Sequence, residues 1–177
     1  MMKKLIFLAT LALCLIPTPV QAIAPTIAKV ARLSDGDTAT VDNGLMSDVR
    51  IACIDAPEVP RSKKASEQAD AVAQTQYKWG RLAQARVSNL LANTGSEILV
   101  QPVSVDQYGR NIASVQFGDG SDWGVRLVSE GLALVYEQYA NVGCNKNLLL
   151  AAQDNAKQQK LGVWSESVMP PWEFRKR

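Results

Sequence analysis

The stretch "DGDTATVDNGLMSDVRIACIDAPE", residues 35–58, compresses a turn, a strand, a hairpin signal, a second strand and a loop into one run. Asp35-Gly36 reads as a turn, because an Asp side chain bonds the backbone ahead of it and Gly accepts the bend. Residues 38–41 read as a strand. Asp42-Asn43-Gly44 signals a hairpin, since Asn-Gly takes the positive φ angles of a two-residue turn. Residues 48–54 read as the next strand, with Val49, Ile51 and Cys53 on one face. Pro57 biases Ala56 away from helix and marks a loop.

Working outward, residues 27–33 supply a strand before this run. Residues 59–75 are polar, Ala-rich and charged, and read as a mobile loop leading into a helix. Leu82, Ala85, Val87, Leu90 and Leu91 form the helical stripe, and residues 93–95 end it. Strands at 97–105 and 112–117 flank the tight turn "DQYGR", residues 106–110, which Asp106 opens. Residues 123–130 and 146–160 read as helices stopped by Gly131 and Gly162. The longer one carries Leu149, Ala152, Ala156 and Leu161 on its apolar side. Three strands, a helix, two strands and two helices predict an α+β chain, a five-stranded OB-fold β-barrel with three helices.

The ends of the chain read differently from its middle. Met1-Met2-Lys3-Lys4, an apolar run at 5–16, two prolines and Val20-Gln21-Ala22 have the form of a secretory signal peptide over residues 1–22. The apolar run is shorter than the roughly 20 residues of a membrane span. The expected organisation is a leader at 1–22, a barrel domain at 23–169 and a basic, solvated tail at 170–177. Removing Lys3 and Lys4 from 19 basic residues leaves 17, equal to the 17 acidic ones. No global field then gathers nucleic acid, and any polyanion site has to be local.

Loss of Cys14 with the leader leaves Cys53 and Cys144. Export favours pairing them; the alternative is a buried thiol at Cys53 and a free one at Cys144. The chain has no histidine. That excludes Ser–His and Cys–His nucleophile pairs and His-ligated zinc. Acid–base work falls to carboxylates, a metal-bound water, Tyr, Lys or Arg.

Four acids stand near strand ends: Asp35, Asp37, Asp55 and Glu58. They do not fit an EF-hand, whose later ligand positions would fall on Ala39 and Met46. Asp37 and Asp55 can still converge if their strands are neighbours, and two close carboxylates ask for a cation between them. Without His, the oxygen ligands point to a hard ion, calcium or magnesium. Arg50 and Arg110 read either as snorkelling surface residues or as guanidinium forks for a phosphate. Arg50 and Asp55 are five positions apart, on opposite faces of a regular strand, so the strand has to twist or end before Asp55.

Together "DGDT" (35–38), "VRIACIDAPE" (49–58), "DQYGRNIASV" (106–115), "LVSEGLALVY" (127–136) and "KLGVWSE" (160–166) make the chain resemble the staphylococcal nuclease (thermonuclease) family over residues 30–166. The resemblance points to a secreted or plasmid-borne bacterial member. It implies a calcium-dependent phosphodiesterase, a monomer acting on DNA, preferentially single-stranded, and on RNA, leaving 3′-phosphate ends. It implies Asp37 and Asp55 as Ca2+ ligands with the backbone carbonyl of Ala56, where the family often has Thr. Glu58 matches the carboxylate that holds the attacking water, and Arg50 and Arg110 match the phosphate-binding pair, whose loss then costs rate and little stability. Tyr139 matches one of two tyrosines near the base; the other falls at Glu137, with Tyr136 beside it. Residues 59–80 depart from the family. Two other readings stay open: a non-catalytic OB module binding single strands or a protein partner, and a structural envelope protein.

Overall fold

Strand β1 (Thr26–Leu33) runs into bends over residues 34–37 and returns as β2 (Thr38–Asp42). The computed structural model describes residues 24–42, 44, 48–140 and 142–177, with Tyr139 by its backbone only. The expected leader and Asn43 of the hairpin lie outside the described residues. Strand β3 (Asp48–Ile51) pairs antiparallel with β2, as the hairpin signal requires. Strands β5 (Glu97–Val105) and β6 (Asn111–Phe117) flank the turn that Asp106 closes by accepting the backbone N–H groups of Tyr108 and Arg110. The order β1-β2-β3-β6-β5 closes into a barrel, with β3 and β6 parallel. This is the expected OB-like, α+β architecture.

The third strand is shorter than the sequence predicts. It stops at Ile51, and Cys53 takes a left-handed φ of 68°. The chain then leaves the barrel as the two-residue strand β4 (Ile54–Asp55), which pairs with β7 (Leu134–Val135). A left-handed, non-Gly residue is costly alone. Here the carbonyl of Cys53 accepts the Tyr136 N–H at 2.8 Å, and its sulfur is bonded to Cys144. The structure joins the two sulfurs as a disulfide.

The long helix α2 (Ala71–Thr94) starts at Asp70, whose carboxylate accepts the Ala73 N–H, and is preceded by the short α1 (Lys63–Glu67) in the stretch read as loop. Its buried face is Ala73, Gln76, Gly80, Ala83, Val87, Leu90 and Leu91. Leu82 and Ala85, placed on the stripe by hydrophobicity, are exposed. The buried face is small because α2 lies close to the loops beneath it; a Cβ at Gly36 would stand 2.7 Å from that of Ala83.

Helices α3 (Trp123–Ser129) and α4 (Lys146–Gln158) are capped by Asp122 and Asn145. With α2 they are the three expected helices. A further helix, α5 (Pro171–Phe174), lies in the segment read as a solvated tail. Trp123 is fully buried, stacks on Phe117 with ring centroids 5.0 Å apart, and donates from Nε1 to the Gly36 carbonyl at 2.8 Å. Removing such a buried ring typically costs about 3–5 kcal/mol. The hydrogen bond also ties the turn before β2 to the core, which fixes where Asp37 points.

Candidate functional site

Arg50 lies in β3 opposite Thr38 of β2 and Ile112 of β6. Its Nη1 donates to Asp37 Oδ1 at 2.5 Å and its Nη2 to Asp55 Oδ1 at 2.6 Å. The two carboxylates are 1% and 0% exposed, so they meet in the interior around one guanidinium. The early end of β3 makes this possible: the turn at Ala52-Cys53 breaks strand alternation and swings Asp55 to the side of Arg50. Asp37 also accepts the Thr38 hydroxyl at 2.9 Å and the Ala56 N–H at 2.5 Å. Asp35 accepts the Asp37 N–H at 3.0 Å, the turn role its position predicts.

Glu58 stands at the rim, its side chain 20% exposed. Its backbone N–H donates to Gln76 Oε1 at 3.4 Å. Gly80 lets α2 press against this loop, for a Cβ there would sit 2.1 Å from the Glu58 carbonyl oxygen and 2.6 Å from that of Pro57. Backbone cannot yield cheaply to such contacts. Gly80→Ala is expected to cost about 1–3 kcal/mol by overpacking and to displace Glu58. A thermal melt unchanged from wild type would show that α2 does not set this loop.

Electrostatics favour a proton or a cation at the acids. Burial, then the neighbouring Asp37, pushes the Asp35 carboxyl up to about 8. Burial and Asp37 likewise raise Asp55, against the pull of Arg175 and Arg50. Burial would lower the Arg50 guanidinium, but Asp37 and Asp55 hold it above its usual value.

Arg175 was not foreseen. From the tail it donates through Nη2 to Asp55 Oδ2 at 2.6 Å, and through Nη1 to Asp55 Oδ1 at 3.0 Å and Glu58 Oε1 at 2.7 Å. The tail is therefore tied to the acids through Arg175, while Glu173 and residues 175–177 stay exposed. Trp172 and Gln76 were missed as well. Trp172 stacks on Tyr136, and fully buried Gln76 bonds both the Glu58 loop and the Met169 carbonyl. The one sequence signal for this segment is Pro170-Pro171, since Pro presets the first turn of a helix.

Arg110 stands apart from this group. It precedes β6, the neighbour of β3, but its Nε donates to Asp106 Oδ2 at 2.7 Å and its guanidinium lies over Tyr108 at 5.5 Å. Among the described residues no hydrogen bond or ion pair joins it to Asp37 or Asp55. The side chain of Tyr139 lies outside the described residues.

The donor chemistry suits a hard cation: the carboxylates of Asp37, Asp55 and Glu58 are all oxygen. Among the described residues no three His, Cys, Asp or Glu side chains are gathered as a metal cage. Both oxygens of Asp55 and one of Glu58 are taken up by guanidinium groups. The set fits such an ion in kind, with Arg175 on the oxygens it would need.

Residues 48–166 match the family described as Staphylococcal nuclease homologue. The chain belongs to the staphylococcal nuclease family. It is 33% identical over 151 residues to an uncharacterized endonuclease of Escherichia coli O157:H7, spanning 84% of each chain, and a second such protein of Escherichia coli matches equally. A probable endonuclease of Schizosaccharomyces pombe is 33% identical over 126 residues, 67% of this chain and 50% of that one. The match to the staphylococcal nuclease family begins after Asp37 and stops before Arg175. The pairing of Arg175 with the acids is thus an observation on this chain.

Proposed function

We propose that the chain is a calcium-dependent nuclease that hydrolyses phosphodiester bonds of DNA and RNA. The observation that carries this reading is the convergence of Asp37 and Asp55, from two separate segments, on Arg50, with Glu58 joined to Asp55 through Arg175, inside a nuclease-family barrel. Asp37 and Asp55, with the backbone carbonyl of Ala56, would hold the ion. Bound there, Ca2+ supplies a Lewis acid for a phosphate oxygen. Glu58, at the rim and reachable by solvent, orders a water for in-line attack and receives its proton. As the new P–O bond forms the P–O5′ bond breaks, O5′ takes a proton from solvent to become a hydroxyl, and phosphate stays on the 3′ side. Arg50 and Arg110 offer positive charge to the phosphoryl oxygens as negative charge grows on them, Arg110 once it turns from Asp106. Tyr136 would lie against the base. Export supports the same reading: a disulfide belongs to oxidising compartments, and the first 22 residues have the form of a leader.

The test is direct. Purified protein is incubated with circular plasmid and with single-stranded DNA, first in Ca2+ and then with chelator in excess. Cleavage in Ca2+ that stops on chelation is expected. No cleavage of either substrate, or cleavage indifferent to chelator, overturns the reading.

A further inference from the structure

Helix α5 covers the acids with a cation and Tyr136 with a ring. The guanidinium of Arg175 engages both oxygens of Asp55 and one of Glu58. Three residues earlier, Trp172 lies parallel to Tyr136, centroids 5.0 Å apart and planes 6° apart. A positive charge on paired carboxylates and a flat ring on a tyrosine are the contacts a metal ion and a nucleobase would make with those same groups.

We infer that the C-terminal helix is an intramolecular competitor of both ligands: seated, it holds Asp55 and Glu58 in place of the ion and Tyr136 in place of a base, and it lifts away before either binds. This rests on the metal-dependent reading given above. The remaining contacts of the tail tether it without closing it permanently. Gln76 ties Met169 to α2, so the segment that lifts begins at Pro170. Phe174 meets Tyr77 edge-on at 6.1 Å, and Arg177 pairs with Asp70 at 2.6 Å on the exposed surface. Exposed pairs are weak and exchange readily. The side chain of Arg175 is itself 36% exposed, so water and ions reach it where it sits. One guanidinium brings a single charge to carboxylates that a divalent ion neutralises more fully, so rising Ca2+ displaces it. Once free, Arg175 can pair with the phosphates of the incoming strand.

The experiment compares full-chain wild type with Arg175→Gln and Trp172→Ala by calorimetric titration with CaCl2, without nucleic acid. A tail seated nine-tenths of the time or more weakens apparent affinity about tenfold or more. Arg175→Gln is therefore expected to bind Ca2+ at least about tenfold more tightly, and Trp172→Ala to gain less. Unchanged or weaker Ca2+ binding by Arg175→Gln overturns the competitor and leaves the nuclease reading standing. Absence of Ca2+ uptake by all three proteins overturns both. Amide hydrogen exchange over residues 171–177 gives a second readout. Protection is expected to fall with Ca2+ and a phosphorothioate oligonucleotide, and protection retained in the loaded protein sinks the inference.

Discussion

Alanine at Arg50 is expected to lower the stability of the metal-free protein by about 3–5 kcal/mol, because it strands two buried carboxylates without their shared counter-ion. The sequence places Arg50 as a phosphate ligand whose loss costs rate and little else. The structure adds a second role, for Arg50 is only 13% exposed and bonds both Asp37 and Asp55. Without it Asp55 keeps Arg175, but Asp37 is left with uncharged donors, a hydroxyl and a backbone N–H among them. The loss should depend on pH with a definite sign. Burial holds the Asp55 carboxyl above its ordinary 3.8 even with two guanidiniums beside it, and without Arg50 it rises further. A group raised on folding contributes no penalty below its unfolded value and a growing one as pH climbs through its folded value. The variant is therefore expected to approach wild type near pH 4 and to fall furthest behind in alkali. Added Ca2+ should stabilise the variant more than wild type, since the ion supplies the charge that was removed. Urea denaturation at several pH values, with and without Ca2+, reads all three effects. Equal midpoints for variant and wild type in metal-free buffer at pH 8 would falsify the counter-ion role.

The barrel was legible where its strands end in residues with a local reason to turn: Asp35-Gly36 after β1, Asp42-Asn43-Gly44 after β2 and the Asp106 turn after β5. Where the backbone bends against local preference, the sequence misled. Nothing about Cys53 announces a left-handed residue, so β3 reads three residues too long. The pair β4–β7 is two residues a side, too short for any periodic signal. Helix α2 was misphased because hydrophobicity favours Leu82, whereas the tight approach of the Pro57-Glu58 loop demands Gly80 and that of Gly36 demands a small residue at Ala83.

The site divides the same way. Asp37, Asp55, Glu58 and Arg50 were legible because acids and an arginine cluster at strand ends in one short run. Arg175 was not, since it meets Asp55 from 120 residues away and sits in a run of basic residues that usually stays in water. Even the paradox of Arg50 and Asp55 on opposite faces carried information. It required the strand to end early, and the turn at Cys53 is where it does.

Opening the Cys53–Cys144 bridge is expected to cost at least as much as losing Arg50. The two cysteines are 91 residues apart, and cross-linking a loop of that size removes enough freedom from the unfolded chain to stabilise by about 4–5 kcal/mol. Its place in the fold adds a local effect. Cys53 is the turn that sends the chain from β3 into β4, and Cys144 directly precedes Asn145, the cap of α4. The bridge thus fastens the one backbone bend that carries Asp55 to Arg50. Cutting it releases a left-handed residue from one of its restraints, and the pairing of Ile54 with Val135 is then the main hold on the segment. Both a lower unfolding midpoint and weaker Ca2+ uptake should follow from reduction or from a Cys53→Ala, Cys144→Ala double variant. The control is the oxidised protein in the same buffer. A midpoint shift without any change in Ca2+ binding would confine the bridge to stability. If reduction moves neither quantity, another part of the fold holds the bend at Cys53.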